Sequence, residues 1–474
     1  MEKEELEEFN NKQQMYRHSM SHILAKAIKE LYPDVKVAIG PAIDNGFYYD
    51  FDNLKINEED FARLEDKMRE VVARNEDFVR SEVSRADALK MFKDEPYKVE
   101  LINDLPEDAV ISVYHTGSDF YDLCRGPHVE NSKFLRGFSF KINRVSGAYW
   151  RGSEKNKMLT RVYVYGFLNK DDLKECLRLE EEAKQRDHRK LGKELGIFMF
   201  NDLVGKGLPM WLPNGFTLRR ELSDYIMNKE IALGYQHVMT PSLANVNLYK
   251  TSGHWAHYKD CMFPEMAVEE ESFVLRPMNC PHHMVMFKNF QHSYRDLPIR
   301  IAEIANDFRF EASGTLVGLE RVRAMTQNDS HIFCRPDQIE SEVKGVIDLI
   351  LDVYKDFGFK KYKFRLSLRD PKNTEKYFGN DDLWEKSEKA LREILKNSGA
   401  EYYEAEGEAA FYGPKIDVQV ITAIGHEVTL STVQLDYQLP ERFELEYVDE
   451  NNQKQRPVVI HRAILGTLDR FTAF

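Results

Sequence analysis

Cysteine is scarce in this chain. There are five among 474 residues, an odd number without the spacing of a disulfide scaffold. That excludes a small, stapled secreted fold and points to a reducing compartment. Long apolar runs are missing too: none approaches the roughly 20 residues that a membrane helix needs, so no membrane partner is expected. The opening MEKEELEEFNNKQQ is acidic and polar, and fits neither a secretory signal nor a transit peptide. A cytoplasmic protein is the resulting expectation. Positive charge is in deficit, with a net charge of −13. This speaks against a general coating for nucleic acid but leaves local patches open. One such run is KQRDHRKLGK, from Lys184 to Lys193, which reads equally well as a solvated helix face. There is no internal repeat and no low-complexity tract. What is there, 42% hydrophobic and 31% charged residues, makes a globular chain long enough for two or three domains.

Apolar residues at Met20, Ile23, Leu24, Ala27, Ile28 and Leu31 recur with helical period, and Pro33 ends that helix. IGPAIDNGFYYDF reads as two strands around a turn at Asp44-Asn45-Gly46. A second amphipathic helix carries Phe61, Leu64, Met68, Val71 and Val72, and strands are expected at 109–114 and 160–165. From Asn169 to about Gly192 the chain is rich in Glu, Lys, Arg and Leu, with no Gly or Pro before Gly192. This reads as one long connecting helix at a domain boundary. Beyond it, PNGFTLRRELSDYIMNKEIALGY is a helix bracketed by Gly215 and Gly234. Strands are expected at QHVMTP, 300–310, 321–326, 415–421, 426–437 and 458–460, and helices at 338–357 and 381–396. Hairpin-like connections favour an α+β fold whose second part is a mostly antiparallel sheet flanked by helices.

Candidate chemistry falls into three groups. Cys280, His331 and His461 are soft ligands, but they lie so far apart that spacing alone cannot join them. Arg309 stands in FRFE, read as an alternating strand that puts Glu311 on the same face. A guanidinium there grips phosphate or carboxylate, or simply makes a strand-face ion pair. Arg470, in DRF, has the same two readings. In the first part, His18 and His22 are four apart, on the helix face away from Leu24 and Leu31, which argues against core histidines. Cys124 and His128, in DLCRGPHV, are also four apart. By spacing alone, the four residues suggest a zinc site.

The strings KTSGHWAHYKDCMF, LRPMNCPHH, SYRDLPIRIAE, RFEASGTLVGLERVRAMTQNDSHIF, FYGPKID, STVQLDYQLPERF and HRAILGTLDRF occur in this order. They resemble the catalytic domain of the threonyl-tRNA synthetases, class II aminoacyl-tRNA synthetases, over Ile197 to Phe474. RHSMSHILAKAIKELYPDVKVAIGPAIDNGFYYDF and YDLCRGPHV resemble the editing domain of the bacterial-type enzymes, over Met15 to about Leu168. The resemblance implies an editing domain at 1–168, a linker helix at 169–192 and a catalytic domain at 193–474. It implies one Zn2+ per subunit on Cys280, His331 and His461, and Mg2+ with ATP. Arg309 would take the α-phosphate, Glu311 the adenine edge, Arg321 the triphosphate tail and Arg470 the γ-phosphate. Gln327, Asp329, Tyr412, Lys415 and Gln434 would surround L-threonine, with Lys415, Arg309 and Arg470 as catalytic residues. His18, His22, Lys98, Asp122, Cys124 and His128 would hydrolyse seryl-tRNA(Thr) without a metal. GFTLRRELSDYIMNKEIALGYQHVMTP matches the interface motif of the class and implies a homodimer.

These implied roles are chemically coherent. Zinc that reads the amino and hydroxyl groups of threonine rejects valine, which lacks the hydroxyl. Serine differs by one methyl, worth only about 1–3 kcal/mol, so a second, hydrolytic site is expected. Three departures from the family pattern stand out, the first being the expected lack of a small N-terminal ubiquitin-like domain, which some family members also lack. Val428 and Thr429 occupy positions where the family usually has Trp-Gln. The anticodon-binding domain that usually follows is expected to be lacking. The alternative is a truncated, non-ligating paralogue that keeps only editing or RNA binding.

Overall fold

The computed structural model describes residues 3–373, 376–377, 381–398, 400–421 and 427–474. The chain forms two compact units, Met1–Glu181 and Glu182–Phe474. Among the described residues no helix is long and apolar enough to cross a membrane.

The first unit is organised by the helix Lys3–Leu31, longer at its N-terminal end than the apolar pattern suggested. Its apolar side joins the helix Phe61–Ala73 and the sheet strands Gly46–Asp52 and Met158–Phe167 in one core. That sheet runs Lys36–Val37, Gly46–Asp52, Met158–Phe167, Ser139–Tyr149, all antiparallel, with the expected hairpin Ala42–Ile43 on Gly46–Asp52. A second sheet, Phe78–Val83, Ile111–Thr116 and Phe120–Leu123, carries the helices Arg85–Met91 and Pro96–Asp104 on a smaller core. The long helix has no solvent face in its middle: Ser19 through Ile28 are all buried. His22 is therefore a core residue, contrary to the reading from the apolar stripe. The face opposite that stripe is covered by Phe78, Phe120 and His128 around His22 and by Glu76 and Asp119 around Lys26, which the helix's own pattern does not register.

The expected connecting helix is two helices, Lys170–Gln185 and His188–Glu194. Asp187 leaves helical geometry (φ −57°, ψ 116°) and accepts a hydrogen bond from Arg189 N at 2.8 Å, capping the second helix. A capping side chain gives the backbone a local alternative to continuing the helix.

The second unit is built on an eight-stranded sheet. Its order is Gln236–His237, Ile299–Phe308, Ala324–Cys334, Val458–Thr467, Glu427–Asp436, Lys415–Ile421, Tyr362–Leu368, Tyr402–Glu406. Only the two outermost pairs are parallel, so the antiparallel expectation holds. Helices Ile339–Asp356 and Asp381–Ser398, together with Leu222 and Ile226 of the helix Pro213–Ala232, cover one face with a large apolar core. The other face is left for the site. Several strands differ from their expected extents. QHVMTP pairs only at Gln236–His237. The third strand begins at Ala324 and runs on to Cys334, because its polar stretch Gln327–His331 hides the alternation. The strand at 458 runs to Thr467, where Gly466 (φ +61°) passes so close to Leu430 O that a Cβ would sit 2.3 Å from it. His426, expected in the fifth strand, lies outside the described residues. Arg309 and Glu311 lie beyond the end of their strand at Phe308, so they do not share a strand face.

Behind the sheet sits a buried ion pair. Glu230 Oε1 accepts from Arg462 Nη1 at 2.6 Å and from Asn328 Nδ2 at 2.8 Å. His237 Nε2 lies 2.7 Å from Glu230 Oε2, and both Glu230 and Arg462 side chains are wholly buried. Removing one partner strands a charge, whereas removing both leaves no buried charge, only the neutral Asn328 amide and His237 ring without their partner. Arg462→Met should therefore cost about 3–5 kcal/mol, with most of it recovered in Arg462→Met/Glu230→Leu. Urea unfolding followed by tryptophan fluorescence checks this, since Trp211, Trp255 and Trp384 lie in this unit. A double variant as unstable as the single one would overturn it.

Candidate functional site

Sheet register assembles the main site. His331 is directly opposite His461, His461 opposite Gln434, and Gln434 opposite Lys415. Four residues from four strands thus form one row. Asp329 opens the neighbouring row, opposite Ala463, which in turn faces Thr432. A bulge between Gln327 and Asp329 re-aims this stretch of strand. Asn328, behind it, accepts from Leu465 N at 3.4 Å while donating to Glu230. Cys280 is the first residue of the helix Cys280–Lys288 and points to the same row.

These residues line a cavity of about 330 Å³, together with Arg309, Tyr412, Met278 and Asp307. Tyr412 OH donates to Gln434 Oε1 at 2.6 Å, and Lys415 Nζ lies 3.0 Å from Asp417. Of the expected substrate residues, the structure brings Arg309, Gln327, Asp329, Tyr412, Lys415 and Gln434 to one place. Glu311, Arg321 and Arg470 do not line it. Arg321 Nε donates to Glu311 Oε2 at 2.9 Å. Arg470 is half-buried, its Nε donating to Glu320 O at 3.0 Å and its Nη1 to Thr429 O at 3.2 Å. Because the latter bond goes to main chain, the side chains at Val428 and Thr429 leave it intact. Burial, and then the charge of Arg309, pull the Arg470 guanidinium below its ordinary value. Two such cations held near each other favour an anion between them. Asp307 was missed from sequence. Burial raises its carboxyl to about 6 against the pull of Arg276, whose Nε lies 3.2 Å away.

Cys280 Sγ and the His331 and His461 ring nitrogens lie within 4.8 Å of one another, and all three residues are buried. Each histidine has its other nitrogen engaged. His461 Nε2 is 2.8 Å from Asp436 Oδ2. His331 Nδ1 is 2.8 Å from His283 Nδ1, and His283 Nε2 is 3.1 Å from Glu303 Oε2. Carboxylate-backed imidazoles with a thiol are the donor set of a catalytic zinc site. Without a cation, burial and then Asp329 push the Cys280 thiol well up, and burial and then Asp307 do the same to Asp329.

The first unit gathers the other cluster. His18 and His22 stand one helical turn apart, and both rings lie 4.2 Å from the His128 ring. Cys124 Sγ is 3.2 Å from His18 Nε2 and 3.2 Å from His128 Nε2. Beside them Lys98 Nζ meets Asp122 Oδ1 at 2.5 Å, and Tyr49 OH donates to Asp122 Oδ2 at 2.5 Å. All six expected residues converge, and Tyr49 and Ser19 join them. Ser19 Oγ lies 3.2 Å from His128 Nδ1. No sequence signal marks Tyr49, which sits in an ordinary aromatic strand. The four His and Cys atoms are close enough for a metal. The supports differ from those of the first cluster, however: His22 Nδ1 has no hydrogen-bond partner, and His128 Nδ1 meets only a hydroxyl. Burial lowers the histidines and raises Cys124 to about 11.

Comparisons with known proteins fit both units. The class II tRNA synthetase core domain (G, H, P, S and T) matches residues 264–474. The second additional domain of threonyl- and alanyl-tRNA synthetases matches residues 111–163. The threonine–tRNA ligase of Anoxybacillus flavithermus is 58% identical over 461 residues, covering 97% of this chain and 71% of that protein. The chain belongs to the threonine–tRNA ligase family. It is an enzyme, an aminoacyl-tRNA synthetase. The ligase of Staphylococcus carnosus is 57% identical over 97% of this chain and 71% of its own length. The crystal structure of the RNA-binding domain of a threonyl-tRNA synthetase from Cryptosporidium parvum superposes with a TM-score of 0.58. It is 42% identical and covers 60% of this chain and 71% of that one.

The raised thiol pKa makes a prediction within this threonine–tRNA ligase. Below pH 9, Cys124 should hold about 100-fold less thiolate than an ordinary thiol. Iodoacetamide at pH 8, read by peptide mass spectrometry, should therefore label Cys124 far more slowly in the folded chain than in urea. Equal rates would contradict the buried, thiol-form cluster.

Proposed function

We propose that the second unit activates L-threonine with Mg2+-ATP to threonyl-adenylate and transfers threonine to tRNA(Thr), and that the first unit hydrolyses seryl-tRNA(Thr). The observation that supports this most is the convergence on one cavity of a Cys-His-His set, Arg309, Gln327, Asp329, Tyr412, Lys415 and Gln434. In activation, a carboxylate oxygen of threonine bonds to the α-phosphorus and pyrophosphate departs. The tRNA 3′-terminal hydroxyl then attacks the carbonyl carbon, and AMP departs. Both displacements need alignment and charge neutralisation more than covalent catalysis. On this reading Arg309 takes the α-phosphate, Arg470 and Arg321 the outer phosphates and Glu311 the base. Release of Glu311 from its ion pair with Arg321 accompanies nucleotide binding on this reading.

Cys280, His331 and His461 would hold one Zn2+ per subunit. When bound, the ion supplies an open coordination position for the amino and hydroxyl groups of the substrate. Gln327, Asp329, Tyr412 and Gln434 orient the amino acid, and Lys415, paired with Asp417, faces its carboxylate side. In the first unit, neutral imidazoles of His18 and His128 can take a proton from attacking water, and Lys98 can face the ester carbonyl. The products are serine and free tRNA. Residues 1–168, 169–192 and 193–474 would serve as editing domain, linker and catalytic domain. Phe216 and Ile231, exposed on the helix Pro213–Ala232, suit burial in a homodimer. Five free cysteines suit a cytoplasmic enzyme.

Threonine-dependent ATP–pyrophosphate exchange tests the first half. Threonine should support exchange, serine less so and valine not at all; comparable rates for valine would remove metal-based selection. Elemental analysis should find one zinc per chain, lost in Cys280→Ala/His461→Ala. Two zinc ions per chain would place a metal in the first unit. His18→Ala/His22→Ala should leave exchange intact while seryl-tRNA(Thr) accumulates, and unchanged deacylation would rule that cluster out.

A further inference from the structure

In the run Lys184–Lys193 the lysines and arginines are exposed, but His188 among them is not. Asp187, which caps the helix His188–Glu194, also pairs with Arg189, and the His188 ring is buried. His188 Nε2 accepts a hydrogen bond from Leu319 N at 3.0 Å. Accepting there puts the proton of the neutral ring on Nδ1, which lies 3.5 Å from Glu320 Oε1. Phe198 stacks on the ring with centroids 6.2 Å apart. The fit around the histidine is tight. Gly318 has φ +45°, and a Cβ at that position would lie 2.1 Å from His188 Nε2.

The segment gripped in this way holds the nucleotide side of the site. Glu320 O accepts from Arg470 Nε at 3.0 Å. Arg321, the next residue, pairs with Glu311. Arg323, two further on, donates to Glu311 O at 2.9 Å. His188 therefore meets one side of residues 318–320, while Arg470 hangs from the other. The threonine-side residues Tyr412 and Gln434 belong to other segments and bond to each other.

We propose that His188 is a positioning residue for ATP: by fixing the 318–320 backbone through Leu319 N, it sets where the Arg470 and Arg321 guanidiniums stand for the polyphosphate. This rests on reading those arginines as the phosphate grip. Losing the latch frees the loop to drift, and a displacement of about 1 Å at a charge-neutralising group costs on the order of 100-fold in such sites. The effect falls on ATP and spares threonine and zinc.

Equilibrium dialysis of Mg2+-ATP against the full chain tests this directly, with pyrophosphate exchange in parallel. His188→Ala should raise Kd and KM for ATP about ten-fold or more, with KM for threonine and zinc content unchanged. His188→Gln should recover most of the loss, since its amide oxygen can accept from Leu319 N. Gly318→Ala disturbs the same contact from the loop side without touching the histidine. It should weaken ATP binding while leaving threonine affinity and zinc content unchanged. Unchanged ATP binding in both single variants would overturn the latch. So would a parallel loss of threonine affinity and zinc, or a glutamine variant as weak as alanine. If the unmodified chain binds ATP but shows no exchange, the proposed ligase reading falls while dialysis still decides the latch. If it binds no ATP, both fall.

Discussion

Everything at the candidate site of the second unit depends on the register of one antiparallel sheet. The row His331, His461, Gln434 and Lys415 exists because four strands align at single-residue accuracy. Side chains alternate between faces, so a slip of one residue would send these groups into the apolar core and bring Ile332 and Ile460 to the cavity. Two devices hold the register. One is the apolar packing of Ile332, Ile460, Val433 and Ile416 against the helices behind the sheet. The other is the buried carboxylate of Glu230, which gathers Arg462 and Asn328 from adjacent strands. These two residues are the immediate neighbours of His461, Gln327 and Asp329. The ion pair thus fixes the backs of the strands whose fronts line the cavity.

The two histidine-cysteine clusters show how support decides use. Both have soft donors at metal-binding separations. In the second unit the rings are oriented by Asp436 and by the Glu303–His283 pair. That arrangement fixes tautomers and strengthens the free nitrogens as ligands. In the first unit the negative charge of Asp122 is engaged instead by Lys98 and Tyr49. The imidazoles pack tilted or edge-on against one another beside the Cys124 thiol, and burial lowers the rings and raises the thiol. With no partner on His22 Nδ1 and only a hydroxyl on His128 Nδ1, these rings are less firmly oriented toward a dication than those of the second unit.

The arginines proposed for the nucleotide are prepared differently. Arg309 reaches the cavity from just past a strand end, held by Pro277 O at 3.2 Å. Arg470 is tied to main-chain carbonyls and Arg321 to Glu311. Carbonyl and carboxylate partners keep these cations oriented until a stronger anion arrives. This preorganisation comes from loops rather than strands, and for that reason the FRFE alternation misled: the strand stops at Phe308 where the backbone turns to meet Arg323 O.

Much was legible in the chain itself. Helical periodicity marked Leu24 to Leu31 and the 339–356 helix. The Asp44-Asn45-Gly46 turn marked its hairpin, and long motifs marked the family and the residue types of both sites. These signals are local, set by side-chain burial period and turn chemistry over a few residues. The polar strand Gln327–His331 was not legible as a strand, because its inward face serves a cavity rather than an apolar core. Nor was the burial of His22, the break at Asp187, or the roles of Tyr49, Asp307, Glu230 and His188. Apart from the break at Asp187, which is a local cap on Arg189 N, each depends on a partner tens or hundreds of residues away, such as Asp122 for Tyr49 and Leu319 for His188. The sequence by itself determined which elements form and which chemistry is available. Only the tertiary structure decided which polar groups satisfy one another in the interior, because a buried hydrogen bond is fixed by proximity in space and leaves no period in the chain.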